Sequence, residues 1–141
     1  MKWFLYSVGH EKADPLEPLV QEYAARVARK VPLTVKVFPD EARLEKSIGE
    51  GRVRVLLTER GDQAASSEAF ATRVQRLLVR EHRDVVFVIG GAHGHSSEFL
   101  AKAHELWSLS NLTFPHRVAR LLLVEQLYRA LTILANEPYH H

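Results

Sequence analysis

The chain contains no cysteine. Disulfides, thiolate nucleophiles and cysteine-ligated metals are therefore excluded, and a cytoplasmic address is the expectation. No apolar run approaches the ~20 residues that a bilayer-spanning helix needs. Met1-Lys2-Trp3-Phe4 leads directly into an apolar alternation, with no signal-peptide pattern. Charge of one sign is also scarce: the formal net charge is only +2 over 141 residues. Nucleic-acid binding, if present, must rest on a clustered basic face and not on a high average. Internal repeats, low-complexity tracts and linkers are absent, so residues 1–141 are expected to form a single domain. Apolar residues make up 46% and charged residues 26%, the balance of a globular chain long enough to bury a core.

Hydrophobic periodicity divides the chain into alternating strands and helices. Strands are expected at residues 2–8, 33–38, 52–58, 85–89 and 106–110. Helices are expected at 15–29, from Asp40 to about 49, from 66 or 67 to about 81, at 96–104, and from Pro115 to about 135. Asp14-Pro15-Leu16-Glu17 reads as an N-cap, a first-turn proline and an acid three residues on. Leu16, Leu19, Val20, Tyr23 and Val27 share the apolar face of that helix, and Phe70, Val74, Leu77 and Leu78 share that of the third. The alternation implies an α/β fold, a mostly parallel sheet with helices on both faces. In the last helix Val118, Leu121, Leu122, Leu127, Leu131 and Leu134 recur at helical spacing. Leu121-Leu-Leu-Val124 spreads over more than one face. Burial on both sides calls for a second apolar partner, most simply a second copy of the chain.

Two segments carry the chemistry. The first is Val85-Val-Phe-Val-Ile-Gly-Gly-Ala-His-Gly-His-Ser96. Five apolar residues, four of them β-branched, form a strand buried on both faces that ends in Gly90-Gly91 and Gly94. Glycines at the carboxyl end of a buried strand let a ligand approach the backbone without meeting a Cβ. A tight turn with no ligand is the plain alternative. The second is Leu106-Trp-Ser-Leu-Ser-Asn-Leu-Thr-Phe-Pro-His-Arg117. Its small polar groups and backbone suit the edge of a heterocycle, with Leu112 and Phe114 on the faces. Asn111 and Thr113 are equally ordinary turn residues before Pro115.

These segments resemble the RlmH family of SPOUT-class methyltransferases. The likeness lies in the strand followed by Gly90-Gly91-x-x-Gly94, in Leu109-Ser-Asn-Leu-Thr-Phe-Pro-His116, in Glu125-Gln-Leu-Tyr-Arg-Ala130 and in the terminal Pro138-Tyr-His140. It extends to Leu57-Thr-Glu-Arg-Gly61 and covers nearly the whole chain. The resemblance implies a SPOUT fold whose C-terminal part threads a trefoil knot, against the general rarity of knots. It implies binding of S-adenosylmethionine by Leu57, Gly90, Leu109, Ser110, Asn111, Leu112, Thr113 and Phe114. It implies methylation of N3 of a pseudouridine in 23S ribosomal RNA, on the large subunit or the whole ribosome, by a homodimer whose two copies both touch RNA. No membrane and no metal are implied. His10, His93, His95 and the terminal His141 depart from the family pattern, and neutral histidine does not replace a permanent cation in gripping RNA.

N3 of the base is an imide nitrogen whose proton must leave, so a general base or a cation stabilising the anionic ring is required. Within the matching segments the candidates are Arg129, Tyr139, His140 and His116. Arg129 with Tyr139 and His140 is expected to hold and polarise the base, and His140 or His116 to help remove the proton. For RNA contact, Arg73, Arg76 and Arg80 recur on one helix face, and Arg117 and Arg120 follow later; an ordinary solvated face is the competing reading. Two other functions stay open: a nucleotide- or dinucleotide-binding α/β enzyme, and a non-catalytic ribosome-binding module. The glycine run is not G-x-G-x-x-G, it follows the fourth strand, and no P-loop is present, which counts against the former. His93-Gly-His95 supplies at most two metal ligands.

Overall fold

The computed structural model describes residues 1–9, 13–80 and 83–140, apart from the Arg80 side chain. His10, His141 and the expected helix end at Glu81 lie outside the described residues. In chain order the elements are β1 (Trp3–Val8), α1 (Glu17–Ala28), β2 (Leu33–Phe38), α2 (Glu41–Ile48), β3 (Val53–Gln63), α3 (Ser67–Arg80), β4 (Val85–Ile89), α4 (Ser97–Ala101), β5 (Glu105–Ser108) and α5 (His116–Leu134). The five strands form one sheet in the order β2-β1-β4-β3-β5. Every pairing is parallel, so all the carboxyl ends lie along one edge. β4 is central, which is why its five residues are buried without exception.

Strand alternation sorts the core into two layers. Trp3, Leu5, Val53, Val55, Leu57, Val85, Phe87 and Ile89 face α1, α3 and α5. Tyr6, Leu56, Val86 and Val88 face α2 and α4, meeting Leu44, Ile48 and Phe99. Each fully buried large side chain contributes roughly 1.5–3 kcal/mol. The expected α/β fold, with helices on both faces, is the one observed.

α4 ends at Ala101 and not at 104, and three further boundaries differ from the expectation, each for a local reason. β3 continues to Gln63 through what reads as a loop. Leu57 and Asp62 both register with Trp107, so residues 58–61 swing out and the chain returns to β5. Gly61 permits the return, since a Cβ there would stand 2.6 Å from the Trp107 carbonyl carbon. β5 stops at Ser108 and not at 110 because the Ser108 hydroxyl donates to the Ser110 carbonyl (2.7 Å) and accepts from the Ser110 amide (3.2 Å), taking the groups a ladder would use. α1 begins at Glu17, after a turn in which the Glu17 amide donates to the Asp14 carbonyl. Asp14 instead accepts from the Leu16 amide at 2.9 Å, and Leu19 turns outward, 44% exposed.

The end of α5 decides where the tail goes. Asn136 adopts φ 57°. The Glu137 amide donates to the Thr132 carbonyl (2.8 Å) and the Asn136 amide to the Ile133 carbonyl (3.1 Å). This is a Schellman stop; it turns Pro138, Tyr139 and His140 back along α5. Lys30 pins the turn through Glu137 at 2.5 Å.

Candidate active site

A cavity of about 900 Å³ opens at the carboxyl edge of β3, β4 and β5, near the upper end of the ~300–1,000 Å³ usual for small-molecule sites. The swung-out end of β3 supplies Leu57, Thr58, Glu59 and Arg60. The end of β4 supplies Ile89 and residues 90–95. The segment between β5 and α5 supplies Leu109, Ser110, Leu112, Thr113, Phe114 and Pro115, and α5 supplies His116 and Ala119. Seven of the eight residues expected to hold a cofactor line this one cavity. The eighth, Asn111, is exposed and is not part of the lining.

The glycine turn is a cradle that side chains would fill. The Gly94 amide donates to the Gly91 carbonyl at 3.0 Å, and Gly94 takes φ +72°, a left-handed conformation that favours glycine. A Cβ at Gly90 would meet the Gly94 carbonyl carbon at 2.9 Å, and one at Gly91 would meet Val8 Cγ1 at 3.1 Å. His95, half-buried, closes the turn onto β3. Its Nε2 lies 3.1 Å from the Leu57 carbonyl oxygen, which only accepts, so Nε2 carries the proton. Burial pulls this imidazole below the ordinary histidine value, against the opposing pull of the Leu57 carbonyl and Glu41. Ser96 caps α4 by accepting from the Phe99 amide, and both its amide and its hydroxyl donate to the Glu41 carboxylate.

Three of the four expected catalytic residues assemble on a different part of the surface. The Arg129 guanidinium donates to Glu125 Oε1 through Nε (3.1 Å) and Nη2 (2.7 Å). Its Nη1 lies 2.9 Å from His140 Nδ1. Arginine only donates, so Nδ1 accepts and His140 Nε2 donates to Glu68, 3.0 Å away. The Tyr139 hydroxyl is 3.1 Å from both Glu125 Oε1 and the Tyr23 hydroxyl. Burial, the Tyr23 hydroxyl and the Glu125 carboxylate push the Tyr139 phenol well above its ordinary value. Glu125 also holds Arg129 more firmly charged. His116 is not in this cluster: it lines the cavity, with its Nε2 3.0 Å from where a Gly9 Cβ would sit.

Glu125 was given no role from sequence, yet it is the hub of the cluster. Its place one helical turn before Arg129 is the signal that would have found it. His95, Glu68 and Tyr23 carry no such local signal. The basic residues sort differently from the expectation. Arg120 is 3% exposed and pairs with Glu17 at 2.7 Å, so it is no phosphate contact. Arg73 donates to the Asp62 carbonyl at 3.0 Å and Arg76 to Glu105 at 2.5 Å. The Arg80 side chain lies outside the described residues.

A family model described as "Predicted SPOUT methyltransferase" matches residues 1–140. Curated proteins match over the full length. One from Sorangium cellulosum, named ribosomal RNA large subunit methyltransferase H, is 42% identical, with all of both chains covered. One of the same name from Brucella anthropi is 35% identical over 99% of each chain. The chain belongs to the RlmH family of SPOUT methyltransferases. Solved structures agree on the fold of this methyltransferase. A probable methylase family protein from Haemophilus influenzae superposes with a TM-score of 0.58 at 13% identity, covering 99% of this chain and 70% of the other. A probable methyltransferase from Bordetella pertussis gives 0.55 at 17% identity, covering 92% and 93%. Among the described residues of the methyltransferase, no helix is long and apolar enough to cross a membrane.

Proposed function

We propose that this methyltransferase carries a methyl group from S-adenosylmethionine to N3 of a pseudouridine in the 23S RNA of the large ribosomal subunit. The observation that carries the reading is the cavity at the carboxyl edge of the sheet. Its bare glycine backbone and the 109–114 segment face one ligand-sized space, in a chain whose full-length relatives bear the ribosomal RNA methyltransferase name. Leu57, Gly90, Leu109, Ser110, Leu112, Thr113 and Phe114 would hold the cofactor, with Asn111 bordering them. The C-terminal segment is taken to thread a trefoil knot, and residues 1–141 to act as one domain.

When bound, the cofactor supplies a methyl carbon whose bond to sulfur breaks, with its electron pair, as N3 attacks, leaving S-adenosylhomocysteine. The chain's own residues must align N3 with that carbon at roughly 3–3.5 Å and dispose of the imide proton. Arg129 offers a fixed positive charge to the anionic ring. Tyr139 stays protonated at physiological pH and orients Arg129 through the shared Glu125. His116, which lines the cavity, takes the proton, or His140 does so once its Nδ1 is released by Arg129. The row of half-buried Val118, Leu121 and Leu122 on α5 supports a homodimer, in which RNA touches both copies. The working location is the cytoplasm, on assembled ribosomes.

The test is transfer of labelled methyl from S-adenosylmethionine to ribosomes that lack the modification, followed by mapping of the labelled nucleotide. Label at N3 of one large-subunit pseudouridine is expected. Binding of the cofactor without transfer to ribosomes would reject the substrate assignment, and absence of cofactor binding would reject the whole reading.

A further inference from the structure

The run Ser66-Ser-Glu-Ala69 turns the chain into α3, beside a second, smaller cavity of about 310 Å³ that also touches Gln126 of α5. The Ser66 hydroxyl oxygen accepts from the Ala69 amide at 3.0 Å, and its proton goes to the Glu68 carboxylate. Glu68 therefore stands in the first turn of α3, where the free amides of a helix favour negative charge. Its own backbone amide, then the His140 ring and the Ser66 hydroxyl, hold that carboxylate below the usual range. The start of α3 thus presents to the tail a carboxylate that stays charged and does not compete for a proton at neutral pH.

Charge balance in the tail cluster then singles out one group. Arg129 brings one positive charge, and Glu125 and Glu68 bring one negative charge each. Tyr139 stays protonated, its phenol pushed well above its ordinary value, and meets the Tyr23 hydroxyl. On α1, Arg26 stacks over Tyr23 but is neutralised by Glu22 at 2.7 Å. With His140 neutral the cluster is one positive charge short. Among its described residues, His140 is the neutral group with a ring lone pair to offer. Its Nε2 already carries a proton and is committed to Glu68 at 3.0 Å. The lone pair is therefore on Nδ1, which Arg129 Nη1 occupies at 2.9 Å.

We propose that Glu68 is a positioning residue for methyl transfer: it holds the His140 ring by Nε2, so that Nδ1 takes the imide proton, and it supplies the negative charge that the resulting imidazolium requires. The proposal rests on the methyltransferase reading above. As Arg129 turns from Nδ1 to an imide carbonyl oxygen, the N3–H bond breaks and its proton bonds to Nδ1. The N3 electron pair bonds the methyl carbon, and the carbon–sulfur bond breaks with its pair on sulfur. A carboxylate behind an imidazole fixes the ring's tautomer and stabilises its cation, and a well-placed base is worth about 10²–10⁴ in rate.

The experiment compares wild type, Glu68→Gln and Glu68→Ala, each confirmed as folded by thermal melting. Methyl transfer to ribosomes lacking the modification is measured across pH, beside calorimetric binding of S-adenosylhomocysteine. Both substitutions should lower kcat at least about tenfold, while KM for ribosomes and Kd for S-adenosylhomocysteine stay within twofold of wild type. In Glu68→Gln the acid limb of kcat should also move to lower pH, because an imidazolium without its carboxylate forms less readily. Unchanged kcat in both variants overturns the assignment and leaves the proton to His116, with the parent reading intact. A loss carried by KM or by S-adenosylhomocysteine binding, or a lower kcat with an unmoved acid limb, also overturns it, since a purely structural carboxylate would do the same. A wild type that methylates no ribosomes removes the parent reading itself.

Discussion

Glu125 ties Arg129 and Tyr139 with one carboxylate oxygen and Gln126 with the other. Glu125→Gln removes the charge and sets a donor against the Gln126 donor. Arg129 keeps an oxygen acceptor but loses the carboxylate charge that holds it in place. Methyl transfer should fall about 10²-fold, the scale of an ångström-sized misplacement, with S-adenosylhomocysteine affinity unchanged by calorimetry. A second single-residue effect concerns pH. Burial lowers His95 below 6.5, so as pH falls below that value the unfolded chain takes up a proton that the folded chain resists. The His95 contribution to stability is therefore complete above about pH 6.5 and is lost as pH falls further. Urea melts from pH 7.5 to 5 should show wild type losing more stability than His95→Gln. Parallel curves for the two proteins would contradict this.

Among the elements, the end of α5 has the most leverage on the site. Only the left-handed turn at Asn136 brings Tyr139 and His140 back to Arg129. Asn136→Val should cost about 1–2 kcal/mol, the steric cost of that conformation for an ordinary side chain, and should lower methyl transfer as well. Asn136→Gly, which takes the conformation without strain, should restore both in the same urea melts and single-turnover assays. Much at this scale was legible in sequence. Period-two and period-3.6 patterns locate each strand and helix, because one face of each must be buried. The swung-out segment at 58–61 was not legible, because it depends on β5 pairing with β3 at two separated points. Nor was the early stop of β5, set by a serine hydroxyl competing for its own backbone. In the site, the two segments that line the larger cavity were readable because glycines and a compact polar run are each contiguous. The partners Tyr23 and Glu68 were not, since they lie 116 and 72 residues from Tyr139 and His140 respectively.

At the scale of the whole molecule, an all-parallel sheet sends every strand's carboxyl end to one edge, and that edge holds the larger cavity. The opposite consequence concerns α5. It buries Leu123, Val124, Leu127 and Leu131 against α1, α3 and the sheet, and leaves Val118, Leu121 and Leu122 half-covered. A homodimer closed over that row predicts twice the chain mass in sedimentation equilibrium, and Leu121→Lys should shift it toward the single-chain mass. Two copies held together would also widen the surface offered to RNA, which matters for a chain whose net charge is only +2.

The account turns on the glycine turn and the 109–114 segment receiving one ligand between them. Crystals of the full chain grown with S-adenosylmethionine test this most directly. The account predicts cofactor density against the bare backbone of Gly90 and its neighbours on one side and Leu109 to Phe114 on the other. Cofactor density anywhere else on the protein would contradict it, as would a filled cavity in which those two segments make no contact with the ligand.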